Sequence, residues 1–261
     1  LKISIEQEIT LAQQEGVTHP HNLPYLRMPA CEAKQAVLLV HGFGSTPWEM
    51  NSLAEHLLAR GAAVFAVRLP GHGTSAEDLA TRTAEEWLAT TIRGYKLLQQ
   101  LQLPLSAAGL STGCLLILLL AHRYKLHSMV LLAPYLRLKH RLSPFARQLA
   151  PFIRYQKRVI SPQDQPYYYE KRPLKGVVQL NRLRKQVTPL LPEIITPALI
   201  LSSEGDRTVA PGTGKEIFDR LGSENKTYHC YGPEAPHVLT SPENPFREDV
   251  LQRSASFLLS S

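Results

Sequence analysis

The sequence predicts an α/β fold with a mostly parallel central sheet flanked by helices and an inserted, mainly helical cap. Three observations predict it. Short apolar, β-branched runs alternate with helical patterns over residues 37–133. The alternation stops over residues 135–192, where the chain is basic, aromatic and punctuated by proline. It then resumes from residue 198 onward. Because α/β folds often pass 200 residues undivided, the 261 residues are read as one domain with the cap, 135–192, set within it.

The elements follow in order. Residues 37–40 form the first clear strand, running into His41-Gly42-Phe43-Gly44. A helix is expected from about Pro47 to Arg60, with proline in its first turn, Gly61 at its end and Leu53, Leu57 and Leu58 on one face. Residues 63–67 are the next strand, followed by a glycine-rich loop through Gly71-His72-Gly73 and a helix over about 83–100. A strand at 105–110 enters Gly109-Leu110-Ser111-Thr112-Gly113, and residues 114–124 read as a helix apolar nearly all round, hence buried on every side. Residues 128–133 are one more strand. Within the cap the helical stretches look too short for another βα unit. Beyond it come a strand at 198–202, a helix near 212–221, a strand at 226–231 and a final helix over about 245–259.

Composition narrows the class. The hydrophobic and charged fractions, 44% and 20%, are those of an ordinary globular protein. The longest purely apolar run, residues 114–121, is well short of the roughly 20 residues a spanning helix needs. Three cysteines at Cys31, Cys114 and Cys230 lack metal-ligand spacing. Neither they nor the start at Leu1, which carries no basic-then-apolar pattern, select a compartment, and the cytoplasm is the default expectation. The net charge of +7 is unevenly placed: residues 135–192 hold 13 Lys and Arg against only Asp164 and Glu170. The simplest reading is a solvated face with no nucleic-acid partner; the specific alternative is contact of this cap with an anionic surface or an acidic substrate.

The sharpest motif is G-x-S-x-G at residues 109–113. A serine on a tight strand-to-helix turn has a strained backbone, and residues two positions away on either side must lack bulk for the turn to close. The hydroxyl is then lifted out of the turn, and the next N–H points toward the oxygen of an attacked carbonyl. By itself the motif arises by chance in roughly one chain in ten of this length, so its place between an apolar strand and a buried helix is what gives it weight.

A serine nucleophile needs a base, and the base an orienting acid; on sheets of this kind they follow in the order Ser, Asp or Glu, His. Asp206 lies in the loop after the strand at 198–202, at the edge where active groups of open α/β sheets gather. Glu204 is the alternative acid, closer to the strand end. Of ten histidines, His229 falls within a strand, His122 and His127 flank a helix end, and His19, His21, His56 and His140 lie far from the motif loops. His41 and His72 precede Ser111, against the expected order. His237 follows the last strand just before the final helix, which makes it the expected base. The backbone N–H groups of Phe43 and Thr112 are the expected oxyanion hole, where each donor contributes roughly 3–4 kcal/mol.

At Leu39-Val40-His41-Gly42-Phe43, Gly71-His72-Gly73, Gly109–Gly113, Gly205-Asp206 and Pro236-His237 the chain resembles the α/β-hydrolase superfamily, and within it microbial carboxylesterases and monoacylglycerol-lipase-like serine hydrolases. The resemblance covers residues 35–133 and 195–260. It implies hydrolysis of an acyl ester or lipid through an acyl-enzyme on Ser111, with Asp206 and His237 completing the triad and no metal or cofactor. A serine at 111 sets the chain apart from epoxide hydrolases and haloalkane dehalogenases, which use aspartate, and from dienelactone hydrolases, which use cysteine. Thr112 departs from the larger apolar or amide residue usual there and places a hydroxyl beside the oxyanion. Phe43, Tyr135, Phe145 and Phe152 are the candidate pocket residues. The same triad also suits a thioester, lactone, amide or carbon–carbon bond, and a binding protein on this fold is the reading from another class.

Overall fold

A computed structural model describes residues 4–139 and 145–260; His140 and part of the basic segment lie outside them. The chain opens on α1 (Ile5–Gln14), started by a capping box between Ser4 and Gln7. There follow β1 (Tyr25–Arg27), β2 (Gln35–Val40), α2 (Asn51–Ala59), β3 (Ala62–Val67), α3 (Ala76–Leu79), α4 (Ala84–Gln99), β4 (Leu105–Leu110), α5 (Thr112–Arg123) and β5 (Met129–Leu132). The second half holds α6 (Ala146–Leu149), β6 (Tyr155–Lys157), β7 (Lys171–Pro173), α7 (Leu174–Leu190), β8 (Ala198–Ser203), α8 (Thr213–Arg220), β9 (Lys226–Tyr231) and α9 (Arg247–Leu259).

Seven strands form one sheet in the order β1-β3-β2-β4-β5-β8-β9. Only the edge strand β1 runs antiparallel, on β3; every other pairing is parallel. The central strands β2 to β5 read as nearly continuous apolar runs because they are covered on both faces, whereas the edge strands β1 and β9 are mostly half-buried or exposed. Alternation then assigns side chains to two cores. Leu38 and Val40 pack with Phe65, Trp87, Leu98, Leu116 and Ile217 on the face covered by α4, α5 and α8. Val37 and Leu39 pack with Leu53, Leu57, Val64, Leu251 and Leu258 on the face covered by α2 and α9. Helix α5 is buried from Thr112 to Leu120 because it is enclosed by the sheet, α4 and α7.

The order also places the site. From β2 the chain passes outward to β3, then returns to the other side of β2 as β4. The loops leaving β2 and β4 therefore part at a switch point, where open α/β sheets leave a crevice beyond their C-terminal ends. Register pairs Val40 with Gly109, so the His41–Gly44 loop and the Ser111 turn start side by side.

Two regions differ from the sequence expectation. The segment between β5 and β8 is not made of short helical pieces only. Helix α7 has 17 residues, and Val177, Leu180, Leu183 and Val187 form a buried stripe, of which Leu180, Leu183 and Val187 join the core beside α5. That stripe has helical spacing, but lysines and arginines between its members mask it in a hydropathy reading. The same segment holds an antiparallel ribbon, β6 on β7. The N-terminal α1 and β1 were also not expected; β1 is three residues long and owes its extended form to pairing with β3.

Candidate active site

Ser111 occupies the turn between β4 and α5 with φ 54° and ψ −107°, a conformation that costs a non-glycine residue of order 1–3 kcal/mol. The surroundings impose it. The Ser111 N–H donates to the Leu132 carbonyl at 2.8 Å, tying the turn to β5. Neither Gly109 nor Gly113 has positive φ; both are glycine because of close approach. A Cβ on Gly109 would lie 2.5 Å from the Gly113 carbonyl carbon, and one on Gly113 would lie 2.1 Å from the Val40 carbonyl oxygen.

Loops after β8 and β9 bring the other two groups. His237 Nε2 lies 3.1 Å from Ser111 Oγ, and His237 Nδ1 lies 2.6 Å from Asp206 Oδ2. The other carboxylate oxygen, Oδ1, accepts the N–H groups of Thr208 at 2.7 Å and Val209 at 2.8 Å, which fixes the rotation of the acid. Burial would raise the Asp206 pKa, but the hydrogen bond and charge of His237 and the two backbone donors outweigh it and hold the carboxyl below its ordinary range. Gly205 lets the loops meet: a Cβ there would lie 2.2 Å from the Pro233 carbonyl oxygen. The Ser203 hydroxyl donates to the Ala235 carbonyl and adds a second clasp. Glu204 is exposed, and its N–H only extends the sheet by donating to Tyr231.

The remaining described histidines pack or hydrogen-bond elsewhere. His41 is buried; its Nε2 accepts the Leu69 N–H at 3.1 Å while its Nδ1 donates to the Gly42 carbonyl at 2.8 Å. Burial lowers its pKa to about 4, so it stays neutral and staples the loop after β2 to the loop after β3. His72 packs edge-on against His41, Phe43 and Trp87. His122 pairs with Glu193, and His127 reaches the Ser260 carbonyl. His21 stacks on Trp48, close to the loop after β2 rather than remote from it.

The sequence profile of the family described as serine aminopeptidase, S33, a family of α/β hydrolases, matches residues 31–242. The chain belongs to this family. It is 35% identical to the thermostable monoacylglycerol lipase of Bacillus sp. (strain H-257), over 73% of this chain and 78% of that one. It is 25% identical to the carboxylesterase of Bacillus subtilis (strain 168), over 79% and 85%. Among solved structures, one described under the metagenome-derived lipolytic enzymes LipS and LipT superposes with a TM-score of 0.81 at 27% identity, covering 92% of this chain and 98% of that one.

In this S33-family hydrolase a cavity of about 560 Å³ opens beside Ser111, within the range usual for small-molecule sites. Phe43, Thr112 and Tyr135 line it. A Cβ on Gly176 of α7 would lie 2.3 Å from the Phe43 ring, so that glycine is what lets α7 close over Phe43. Gly42 lies against Ser111, its added Cβ 3.5 Å from that of the serine, which carries the Phe43 backbone alongside the Ser111 turn. Thr112 is the first residue of α5, where an N–H has no acceptor within the helix. Its hydroxyl is buried next to that of Tyr135, and neither makes a well-formed hydrogen bond. Phe145 and Phe152 do not line the cavity. They are 55% and 85% exposed, because the short α6 and the turn after it leave their outer side in solvent. Ile153 and Leu149 from that stretch line it instead.

Among the cavity residues that the sequence did not single out, three carry charge and bear on the site: Glu49, Arg158 and Arg172. No motif surrounds them, and only the fold gathers them. Glu49 is buried and accepts the Gly42 N–H at 2.6 Å, bracing the loop that carries Phe43. Burial pushes its pKa up, with the Gly42 hydrogen bond and the charges of His237 and Arg158 opposing. A carboxyl whose pKa is raised on folding binds its proton more tightly in the native state than in the unfolded chain, so native stability falls as pH rises above the ordinary glutamate pKa. Glu49→Gln keeps an acceptor for Gly42 and removes that ionisation. Thermal unfolding between pH 5 and 8 is expected to show a smaller loss of stability in Glu49→Gln than in wild type; parallel curves would contradict the assignment.

Proposed function

We propose that the chain hydrolyses carboxylic esters, with Ser111 as nucleophile, His237 as general base and acid, and Asp206 as its orienting carboxylate. The observation that carries this reading is the line of hydrogen bonds Asp206–His237–Ser111 at the wall of a largely apolar cavity. As Ser111 Oγ attacks the ester carbonyl carbon, its proton passes to His237 Nε2. Asp206 accepts from Nδ1–H, which selects the tautomer with a free Nε2 and stabilises the imidazolium that forms. The Phe43 and Thr112 N–H groups receive the oxyanion. Collapse breaks the bond to the alcohol oxygen, which leaves with the proton from Nε2. Water then attacks the acyl-enzyme, giving its proton to Nε2, and release of the acid returns a proton to Ser111. The names of the relatives, a monoacylglycerol lipase and a carboxylesterase, support an ester over a thioester or amide.

We further assign residues 135–192 the role of a cap over the acyl pocket, since Leu149, Ile153, Leu174, Val177 and Leu180 all face the cavity. Its outer surface sets exposed Phe152 and Val159 among Arg147, Arg154 and Lys157 and suits an anionic interface. Hydrolysis of 4-nitrophenyl esters from acetate to palmitate is expected, with turnover on long chains presented in anionic phospholipid vesicles falling as salt rises because exposed charges are screened. Absence of turnover on every ester would refute the ester reading; salt-independent turnover would remove the interfacial role.

A further inference from the structure

We propose that the cavity beside Ser111 takes an ester bearing a negative charge, a carboxylate or phosphate on its acyl or alcohol part, held by Arg158 and Arg172. The inference rests on the ester-hydrolase reading and narrows its substrate class. Among the described residues lining the cavity, Lys139, Arg158, Arg172 and Arg207 face a single acid, Glu49. Lys139 and Arg207 are exposed and solvated at the rim. The other two are different.

Arg172 stands on β7 and Arg158 immediately follows β6, so both are mounted on the two-stranded ribbon, with Gln156 opposite Arg172 and the Arg158 N–H donating to the Glu170 carbonyl at 2.7 Å. The Arg172 Nε is shut off from solvent and has no hydrogen-bond partner. Neither guanidinium takes part in any ion pair formed among the described residues. Arg158 instead lies over the Tyr168 ring at 5.2 Å.

Both residues are half-buried, and a guanidinium nitrogen withdrawn from water without an acceptor, as the Arg172 Nε is, is costly, the more so with the charge of Arg158 near it. Burial and the charge of Arg158 bring the Arg172 pKa down to about 10, against a partial offset from Glu49, and leave it charged at neutral pH. Glu49 is already engaged by the Gly42 N–H and does not close the balance. An oxyanion between the two guanidiniums would supply the missing acceptors, since the planar fork of arginine matches carboxylate and phosphate. The rest of the lining is mainly apolar, which suits a chain between the charged group and the ester.

The test compares matched esters that differ by one charge. Mono-4-nitrophenyl suberate is paired with 4-nitrophenyl octanoate for a charge on the acyl part. Soluble 1-butyrylglycerol 3-phosphate is paired with 1-butyrylglycerol for a charge on the alcohol part. In one pair the ratio of kcat/KM, anionic over neutral, is expected to fall about tenfold or more in both Arg172→Gln and Arg158→Gln, chiefly through KM, with Arg172→Lys retaining part of it. The responding pair shows which end of the substrate is charged. Ratios unchanged in both pairs would overturn the proposal. Calorimetric titration of the same four compounds into Ser111→Ala, with and without Arg172→Gln, separates the two readings. Charge-selective binding lost with Arg172, but without turnover in the parent protein, would retain the anion site and reject the hydrolase. Binding that ignores charge would reject the anion site whatever the turnover.

Discussion

Ser111→Ala is expected to lower kcat/KM on 4-nitrophenyl esters by about 10⁴–10⁶-fold while leaving the fold and thermal unfolding unchanged. The size of the loss follows from the geometry. Removing Oγ deletes the hydrogen-bond partner of His237 Nε2 at 3.1 Å, and among the described residues no neighbouring hydroxyl or thiol is placed to replace it. Thr112 presents its hydroxyl to Tyr135, and the Cys114 thiol donates to the Gly109 and Leu132 carbonyls with its pKa raised by burial. The residual rate would come from the oxyanion N–H groups and binding alone. Alanine accepts the backbone of residue 111 no worse than serine does, because the turn is imposed by the Ser111 N–H bond to Leu132 and by the glycines on either side. A variant that keeps wild-type turnover would eliminate Ser111 as nucleophile.

Asp206→Asn is expected to lower kcat by about 10⁴-fold with little change in KM. The amide oxygen can still accept from Thr208 and Val209, so the loop stays in place. Its NH₂ then faces His237 Nδ1 and can only donate. That selects the tautomer with a proton on Nε2, which cannot take the Ser111 proton. The same substitution alters stability against pH. The Asp206 pKa is lowered on folding, so its ionised form contributes stability that is complete above the ordinary aspartate range and is lost as pH falls through the lowered value. Acid unfolding of Asp206→Asn should therefore lack that component. Unchanged kcat would leave Asp206 as a loop brace without a role in orienting the base.

How much of the fold is legible in the sequence depends on distance along the chain. The strand at 105–110 coincides with β4 because burial on both faces writes itself into an apolar run; the strand at 226–231 coincides with β9, although that edge strand is mostly half-buried or exposed. Most helix boundaries differ by one or two residues, but α2 starts at Asn51 rather than near Pro47, because Pro47–Met50 form a separate 3-10 turn. Residues 109–113 were readable for a local reason: a strand, a tight turn and a helix in succession leave glycines at fixed spacing. The segment between β5 and β8 was less legible. Its stripe of Val177, Leu180, Leu183 and Val187 faces α5 or the cavity, but the exposed face of the same helix is rich in lysine and arginine. Phe145 and Phe152 show the reverse error, aromatic residues that composition suggests are inside and that the fold leaves in solvent.

By itself the sequence determined the alternation that makes the sheet, the elbow around Ser111, and the loops on which Asp206 and His237 are carried. Those features depend on neighbours a few residues apart, and their chemistry is visible in the order of residue types. Only the tertiary structure decided which histidine nitrogen meets which oxygen, where Tyr135 faces Thr112, and that Glu49, Arg158 and Arg172 share one cavity with the serine. Glu49 lies before α2 and the two arginines lie on a ribbon more than a hundred residues away. Their partnership arises because the sheet parts beyond β2 and β4 and residues of the β6–β7 ribbon line that opening. The environment of a charge, and so its pKa and its partners, is a property of burial that no local pattern encodes.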